Sequence, residues 1–320
     1  MLSNTFYDFQ RGMNRSCAAC AWRDLHGLKM KNIAFLGLGA MGSRMANKLL
    51  GAGFAVTVWN RSAAACDALV AAGAKRADTP RQAAANADCV IAMVRDDDAS
   101  RAVWCDDATG AFGGMCEGAI AIDSSTLSPD WTRELAAAAR AQGIAFLEAP
   151  VSGSRPQAEA GQLVYFIGGE TAHIERAADV LRAMGSALHH VGEVGAGALT
   201  KLATNSLLGV HVTALAEIVG MLGKQGADAR AILSAISGTS VWAPVDHYLS
   251  GSMLAGEFRP QFPIGLIAKD FGYALAQAGS VASTLSAARS VFDDAIAKGL
   301  SEENMTAVVR LFDAESARIE

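Results

Sequence analysis

The stretch Asn32-Ile-Ala-Phe-Leu-Gly37-Leu-Gly39-Ala-Met-Gly42-Ser-Arg-Met-Ala decides the fold of this chain. An apolar run, typical of a strand, leads into glycines spaced G-x-G-x-x-G, and a helical pattern follows from about residue 41 to 52. In this context the motif predicts a dinucleotide site, because glycine permits the tight turn and the helix N-terminus attracts the pyrophosphate. A glycine-rich turn in another α/β unit is the alternative interpretation. The expected contact residues are Gly37, Leu38, Gly39, Ala40, Met41 and Gly42.

Composition and charge narrow the class of protein. The 320 residues are 51% hydrophobic and carry a net charge of −5, which predicts a substantial core. Without a basic stripe or an apolar run of membrane-spanning length, we expect neither nucleic acid nor membrane as a partner. Six scattered cysteines indicate a reducing, cytoplasmic location. We expect no metal, because the pair Cys17 and Cys20 stands alone and the aspartates at 96–98 are typical of a solvent-facing loop.

Residues 1–29 precede the first predicted strand, and we expect them to lie outside the fold. Met30 is the candidate functional start. Arg11, Arg15 and Arg23, with only two acidic residues in the segment, leave a mitochondrial transit peptide as the alternative to a cytoplasmic protein.

Short apolar runs alternate with helical patterns up to about residue 191, which predicts βαβ units and a largely parallel sheet. The predicted strands are 33–36, 55–59, 89–94, 119–122, 145–147, 164–167 and 188–191. Beyond a glycine-rich, flexible joint at 192–197 the patterns are helical, ending with a helix at 303–319. The predicted fold class is α/β, with a Rossmann-type doubly wound domain at 30–193. An all-α domain for substrate binding and dimerisation follows at 194–320.

The end of the second predicted strand bears on the choice of dinucleotide. NAD sites carry Asp or Glu there for the ribose 2′-hydroxyl, whereas this chain has Asn60-Arg61-Ser62. A guanidinium suits bidentate contact with a 2′-phosphate, so the sequence favours NADP over NAD. The alternative is that Arg61 is a solvated charge and both dinucleotides bind.

Four motifs, in this order, resemble the 3-hydroxyisobutyrate dehydrogenase (β-hydroxyacid dehydrogenase) family over about residues 31–315. They are the fingerprint from Gly37, Asp123-Ser-Ser-Thr126, Glu148-Ala-Pro-Val-Ser152-Gly153-Ser154, and Gly195-Ala-Gly-Ala-Leu-Thr-Lys201-Leu-Ala-Thr-Asn205, joined later by Lys269-Asp270. Trp59-Asn60-Arg61 is most similar to the NADPH-dependent glyoxylate/succinic semialdehyde reductases of the family. The chain departs from the family's pattern at Val94-Arg95, where Leu-Pro is usual, and at Ser154, which is often Gly.

The resemblance implies an oxidoreductase that moves a hydride between NADP(H) and a small β-hydroxy acid or its semialdehyde or keto form. It implies a homodimer or homotetramer. The implied catalytic residues are Lys201 and Asn205. The implied substrate-binding residues are Ser152, Gly153, Ser154 and Thr126. Beside the fingerprint and Asn60, Arg61 and Ser62, the implied cofactor residues are Val94, Arg95, Thr126 and Lys269.

The residue chemistry agrees with these roles. Lys201 and Asn205 are four apart, so on a helix they share a face. A carbonyl oxygen gains negative charge as hydride arrives and needs a proton, which a lysine with a pKa lowered by burial can donate or accept. The alternatives are an imine reductase-like enzyme, a 6-phosphogluconate-type decarboxylating dehydrogenase, and a non-catalytic dinucleotide-binding protein. Lys201 argues against an imine reductase, and Thr204, which stands in place of a histidine, argues against the decarboxylating dehydrogenase. The intact pair of Lys201 and Asn205 argues against a non-catalytic protein.

Overall fold

The computed structural model describes residues 30–312, so the predicted N-terminal extension at 1–29 lies outside the described residues. The part up to residue 192 alternates strands and helices. Its strands are β1 Asn32–Leu36, β2 Ala55–Trp59, β3 Lys75–Arg76, β4 Cys89–Ala92, β5 Ile120–Asp123, β6 Ala145–Glu148, β7 Val151–Ser152, β8 Leu163–Gly168 and β9 Gly185–Gly192. Its helices are α1 Gly42–Gly51, α2 Asp67–Ala71, α3 Pro80–Ala84, α4 Asp97–Cys105, α5 Pro129–Ala141, α6 Arg155–Ala160 and α7 Thr171–Arg182.

Within the described residues the strands form one sheet in the order β3-β2-β1-β4-β5-β6-β8-β7, with β9 paired to β8. The strands from β3 to β6 are parallel, β8 is antiparallel to β6 and β7, and β9 is parallel to β8. This order confirms the predicted Rossmann-type doubly wound fold. In such a sheet ligands bind at the carboxyl ends of the strands, at the switch point between β1 and β4.

Apolar layers cover both faces of the sheet. Within β1, Ile33 and Phe35 belong to one buried cluster and Ala34 and Leu36 to the other. Because successive side chains of a strand point to opposite faces, a continuous apolar run is what a doubly covered strand requires. The fingerprint loop therefore starts from a strand that is fixed on both sides.

The second part of the described chain is helical, as the sequence predicts. Its helices are α8 Ala196–Lys224, α9 Ala229–Ile236, α10 Asp246–Ala255, α11 Ile264–Ala278 and α12 Ser283–Ala297, followed by a 3-10 helix at Met305–Leu311. Over the residues described, the predicted helix at 303–319 is a 3-10 helix at Met305–Leu311 rather than an α-helix. Buried Asn304 accepts hydrogen bonds from the backbone amides of Gln261 and Phe262, and this tertiary contact replaces the regular helical start.

The long helix α8 corrects one expectation from the sequence. By length and composition it could cross a membrane, so an apolar segment of that size does exist. In the structure, however, α8 packs with α11 and α12 around a core that includes Val212, Phe271 and Phe292. A core helix of a helical domain passes the same length and composition test.

Candidate active site

The fingerprint loop has the geometry of a dinucleotide cradle. Gly37 has φ +95°, a conformation that L side chains rarely adopt, and a Cβ there would collide with the backbone of Met93. A Cβ on Gly42 would collide with the carbonyl of Gly37, so helix and strand pack closely only with glycine. A Cβ on Gly39, in contrast, would meet nothing within 4 Å. Gly39 therefore borders open space, where the family of the motif places the pyrophosphate.

The N-terminus of α1 fits an anionic ligand. Its first turn contains no acidic residue, and its N-cap Met41 provides no side-chain hydrogen bond. Free amides at a helix N-terminus carry partial positive charge and attract phosphate. These features fit a dinucleotide pyrophosphate.

Asn60 links the two loops at the carboxyl ends of β1 and β2. Its Oδ1 accepts the N–H of Leu38 at 2.9 Å, and its Nδ2 donates to the carbonyl of Ser62 at 3.0 Å. The amide thus shapes the pocket wall. Arg61 and Ser62 are exposed beside it, where their side chains can meet a ligand.

Val94 and Thr126 belong to loops that a hydrogen-bond network holds together. The N–H of Val94 donates to Ser125 Oγ at 2.9 Å, and the N–H of Ser125 donates to buried Asp123 at 2.9 Å. The second oxygen of Asp123 accepts from Ser100 and Trp104. Burial raises the pKa of Asp123, and these donors oppose the rise.

Lys201 lies on α8, next to a buried polar network. The pKa of Lys201 is lowered to about 8: burial is the largest cause of the lowering, the charge of Asp270 opposes it, and the charge of Lys269 adds to it. The Nδ2 of buried Asn205 donates to Asp270 Oδ2 at 2.6 Å, and Lys269 Nζ lies 2.8 Å from Asp270 Oδ1. A lysine tuned in this way can both donate and accept a proton near neutral pH.

Lys269 also connects the helical part to the dinucleotide-binding part. Its Nζ donates to the carbonyl of Thr126 at 2.7 Å and lies 4.6 Å from the ring centroid of Tyr273. On the same face of α11, Tyr273 accepts the N–H of Asp97 at 3.1 Å, and Gln277 donates to Asp130 at 2.9 Å. The structure thus brings Lys201, Asn205, Lys269 and Thr126 into one neighbourhood.

Asp270 is the site residue that sequence reasoning missed, since Lys269-Asp270 can equally be a surface ion pair. It is 3% exposed and contacts Asn205 and Lys269. A carboxylate between Ala268 and Phe271 in an apolar stretch is the signal that could have found it. The expectation that the aspartates at 96–98 lie on a solvent-facing loop is corrected for two of them. Asp96 caps α4, and Asp97 accepts hydrogen bonds from Ser128.

The predicted substrate loop lies between β6 and α6. Ser152 pairs with Val164 in the sheet, and Gly153 has φ +119°. The N–H and the hydroxyl of Ser154 both donate to Gln157 Oε1, at 3.0 and 3.1 Å. The Ser154 hydroxyl proton is therefore engaged in starting α6. In residues 30–312, no group of three His, Cys, Asp or Glu side chains is placed to hold a metal ion.

The fold and this cluster define a class of protein, a dehydrogenase that binds a nicotinamide dinucleotide. Residues 32–192 match the family described as the NAD binding domain of 6-phosphogluconate dehydrogenase. Residues 195–312 match the family described as NAD-binding of NADP-dependent 3-hydroxyisobutyrate dehydrogenase.

Individual proteins agree with these matches. Glyoxylate/succinic semialdehyde reductase 2 of Arabidopsis thaliana is 36% identical over 90% of this chain and 81% of its own length. NAD-dependent L-serine dehydrogenase of Pseudomonas aeruginosa is 34% identical over 89% of this chain and 98% of its own. A structure of Mycobacterium tuberculosis 3-hydroxyisobutyrate dehydrogenase with L-serine has a TM-score of 0.81 at 31% identity, covering 89% of this chain and 100% of that one. The chain belongs to the 3-hydroxyisobutyrate dehydrogenase family and is a NAD(P)-dependent hydroxyacid dehydrogenase or reductase.

Proposed function

We propose that this enzyme interconverts a short β-hydroxy acid and its semialdehyde or keto form with NADP(H), and that Lys201 transfers the proton. The observation that carries the proposal is Lys201, whose pKa burial lowers to about 8 beside the network of Asn205, Asp270 and Lys269. A proton donor of this pKa is matched to chemistry near neutral pH.

When bound, the nicotinamide supplies or accepts the hydride. In the reductive direction the Lys201 ammonium donates a proton to the substrate oxygen, and in the oxidative direction the neutral amine takes the hydroxyl proton. Asp270 fixes the orientation of the Asn205 amide, which supports the lysine and the substrate hydroxyl. The hydroxyl of Ser152 and the backbone N–H of Gly153 are donors for the substrate carboxylate.

The choice of NADP rests on Arg61. Asn60 places no negative charge at the ribose position, and Arg61 is exposed there. A guanidinium stabilises a 2′-phosphate by bidentate, charge-assisted hydrogen bonds. Initial rates with NADPH and NADH test this. We expect a preference for NADPH that falls at least tenfold in Arg61→Ala, equivalent to about 1.4 kcal/mol. A preference for NADH would contradict it.

The substrate class follows from what the relatives' names share, a small molecule with a carboxylate and a hydroxyl or aldehyde. The test is a panel of 3-hydroxyisobutyrate and L-serine with NADP⁺, and of glyoxylate and succinic semialdehyde with NADPH. We expect turnover with at least one of them. No turnover with any, combined with reduction of a cyclic imine, would favour the imine reductase alternative.

We further propose a homodimer or homotetramer assembled through α8. Leu207 is 67% exposed and Met221 is 55% exposed on this helix, and Leu199 is exposed on it too. Large apolar side chains spaced along one helix lose contact with water when a second copy of the chain packs against them.

A further inference from the structure

Glu148, the last residue of β6, is a buried carboxylate attached to the start of α8. Its side chain reaches the joint between the two parts of the chain and is 2% exposed. Oε1 accepts the backbone N–H groups of Gly195 and Gly197, the latter at 2.8 Å, and Oε2 accepts the N–H of Ala198 at 3.0 Å. The joint that the sequence predicts to be flexible therefore donates three hydrogen bonds to one side chain, which holds it in place.

The surrounding backbone leaves a fitted space for this carboxylate. A Cβ on Gly168 would collide with Glu148 Oε1, and a Cβ on Gly197 would lie 3.0 Å from Glu148 Cδ. Burial raises the pKa of Glu148, while the three N–H groups and the charge of Arg133 oppose the rise. Hydrogen bonds to a carboxylate from helix N-terminal amides stabilise the charged form.

The two ends of this contact lead directly to the two halves of the proposed site. On one side, the chain continues from Glu148 through Ala149 and Pro150 into β7 and the Ser152–Gly153 loop. On the other side, Lys201 is the sixth residue of α8, less than two turns from the amides that Glu148 holds. A helix is rigid over two turns, so a shift of its first turn moves Lys201 with it.

We propose that Glu148 is a positioning residue that sets the distance between the proton donor Lys201 and the substrate loop at Ser152–Gly153. The inference rests on the proposed function. Because proton transfer and hydride transfer need aligned atoms, a small displacement of the lysine lowers the rate of the chemical step. Dinucleotide binding at β1 and β2 does not depend on this contact.

The test compares Glu148→Gln with the matched control Glu193→Gln, whose exposed carboxylate lies in the same joint. The glutamine keeps the shape of the side chain but has one acceptor oxygen instead of two. Its Nε2 faces either the N–H of Ala198 or the N–H groups of Gly195 and Gly197, so at least one of these N–H groups loses its acceptor. We expect kcat with NADPH to fall at least tenfold, while KM for NADPH stays within error. The control should match the wild type.

A second measurement separates positioning from a general structural role. In a Lys201→Ala background, Glu148→Gln should lower the residual kcat less than twofold, since the group it positions is gone. An equal loss in both backgrounds would overturn the proposal, and so would an unchanged kcat in the single variant. Glu148→Asp, which withdraws the carboxylate by one methylene, serves for the same cycle if the glutamine variant does not fold. A wild type without turnover would instead overturn the proposed function.

Discussion

At the scale of the residue, the proposed proton transfer depends on the protonation state of Lys201. Its neighbours determine its pKa: burial and Lys269 lower it, and Asp270 raises it. Asp270 is itself held by Asn205 and Lys269, so the proposed proton donor, the Asn205 amide and the residue that contacts Thr126 form one unit.

The pH dependence of turnover follows from this pKa. Reduction needs the ammonium, so kcat/KM for the aldehyde should fall as pH rises through about 8. Oxidation needs the neutral amine, so kcat/KM for the hydroxy acid should rise through the same pH. Because Asp270 raises the pKa of Lys201, Asp270→Asn should move both transitions to lower pH. A transition that stays in place, or moves upward, would show that Asp270 does not act on Lys201.

The sequence predicts the relative positions of residues that lie close together in one motif. It does not predict contacts that depend on how separate elements pack and which side chains become buried. Lys201 and Asn205 are four apart in one helix, so their shared face is visible without a structure. The role of Asp270 is not, because Asn205 lies 65 positions away and the contact depends on how α8 packs against α11. The contact of Glu148 with the start of α8 is hidden for the same reason.

At the scale of the element, the glycines of the fingerprint turn are required for different reasons: Gly39 leaves space for a ligand, and Gly42 allows close packing within the protein. Gly39→Ala adds a methyl group where nothing lies within 4 Å, so the free enzyme should keep its melting temperature. That methyl group would occupy the space of the pyrophosphate, so we expect at least a tenfold loss of NADPH affinity. Titration of NADPH fluorescence and a thermal melt measure both. Unchanged affinity would place the dinucleotide elsewhere.

Gly42 and Gly51, the first and last residues of α1, provide the comparison with Gly39. In Gly42→Ala the methyl group collides with the carbonyl of Gly37, so the melting temperature of the free enzyme should itself fall. Gly51→Ala, at the end of the same helix with nothing within 4 Å, is the matched control and should change neither quantity by much.

The elements that the sequence predicts are those with a clear apolar period or run, such as β1, β2 and α1. The two-residue strands β3 and β7 were not predicted, because two residues carry no period. The six-residue helix α6 carries no clear period either. In α6, Arg155-Pro-Gln-Ala-Glu-Ala has no apolar stripe, and its start depends on the cap between Ser154 and Gln157.

At the scale of the whole molecule, α8 is both a core helix and an apolar surface. Its inner face packs on α11, while Leu207 is 67% exposed on its outer face. Leu207→Lys should shift the protein toward the monomer in light scattering. The matched control is Val281→Lys, at a residue outside α8 that is 87% exposed. A wild type that is monomeric at micromolar concentration would contradict the proposed assembly.

The most direct test of the account is the turnover of Lys201→Ala with NADPH, measured beside binding of NADPH. We expect kcat to fall by about 10²–10⁴-fold, the usual contribution of a general acid, with NADPH affinity unchanged. Lys224→Ala, at the exposed end of the same helix, controls for loss of a lysine and should keep full activity. Turnover within a few-fold of the wild type in Lys201→Ala would contradict the claim that this lysine transfers the proton.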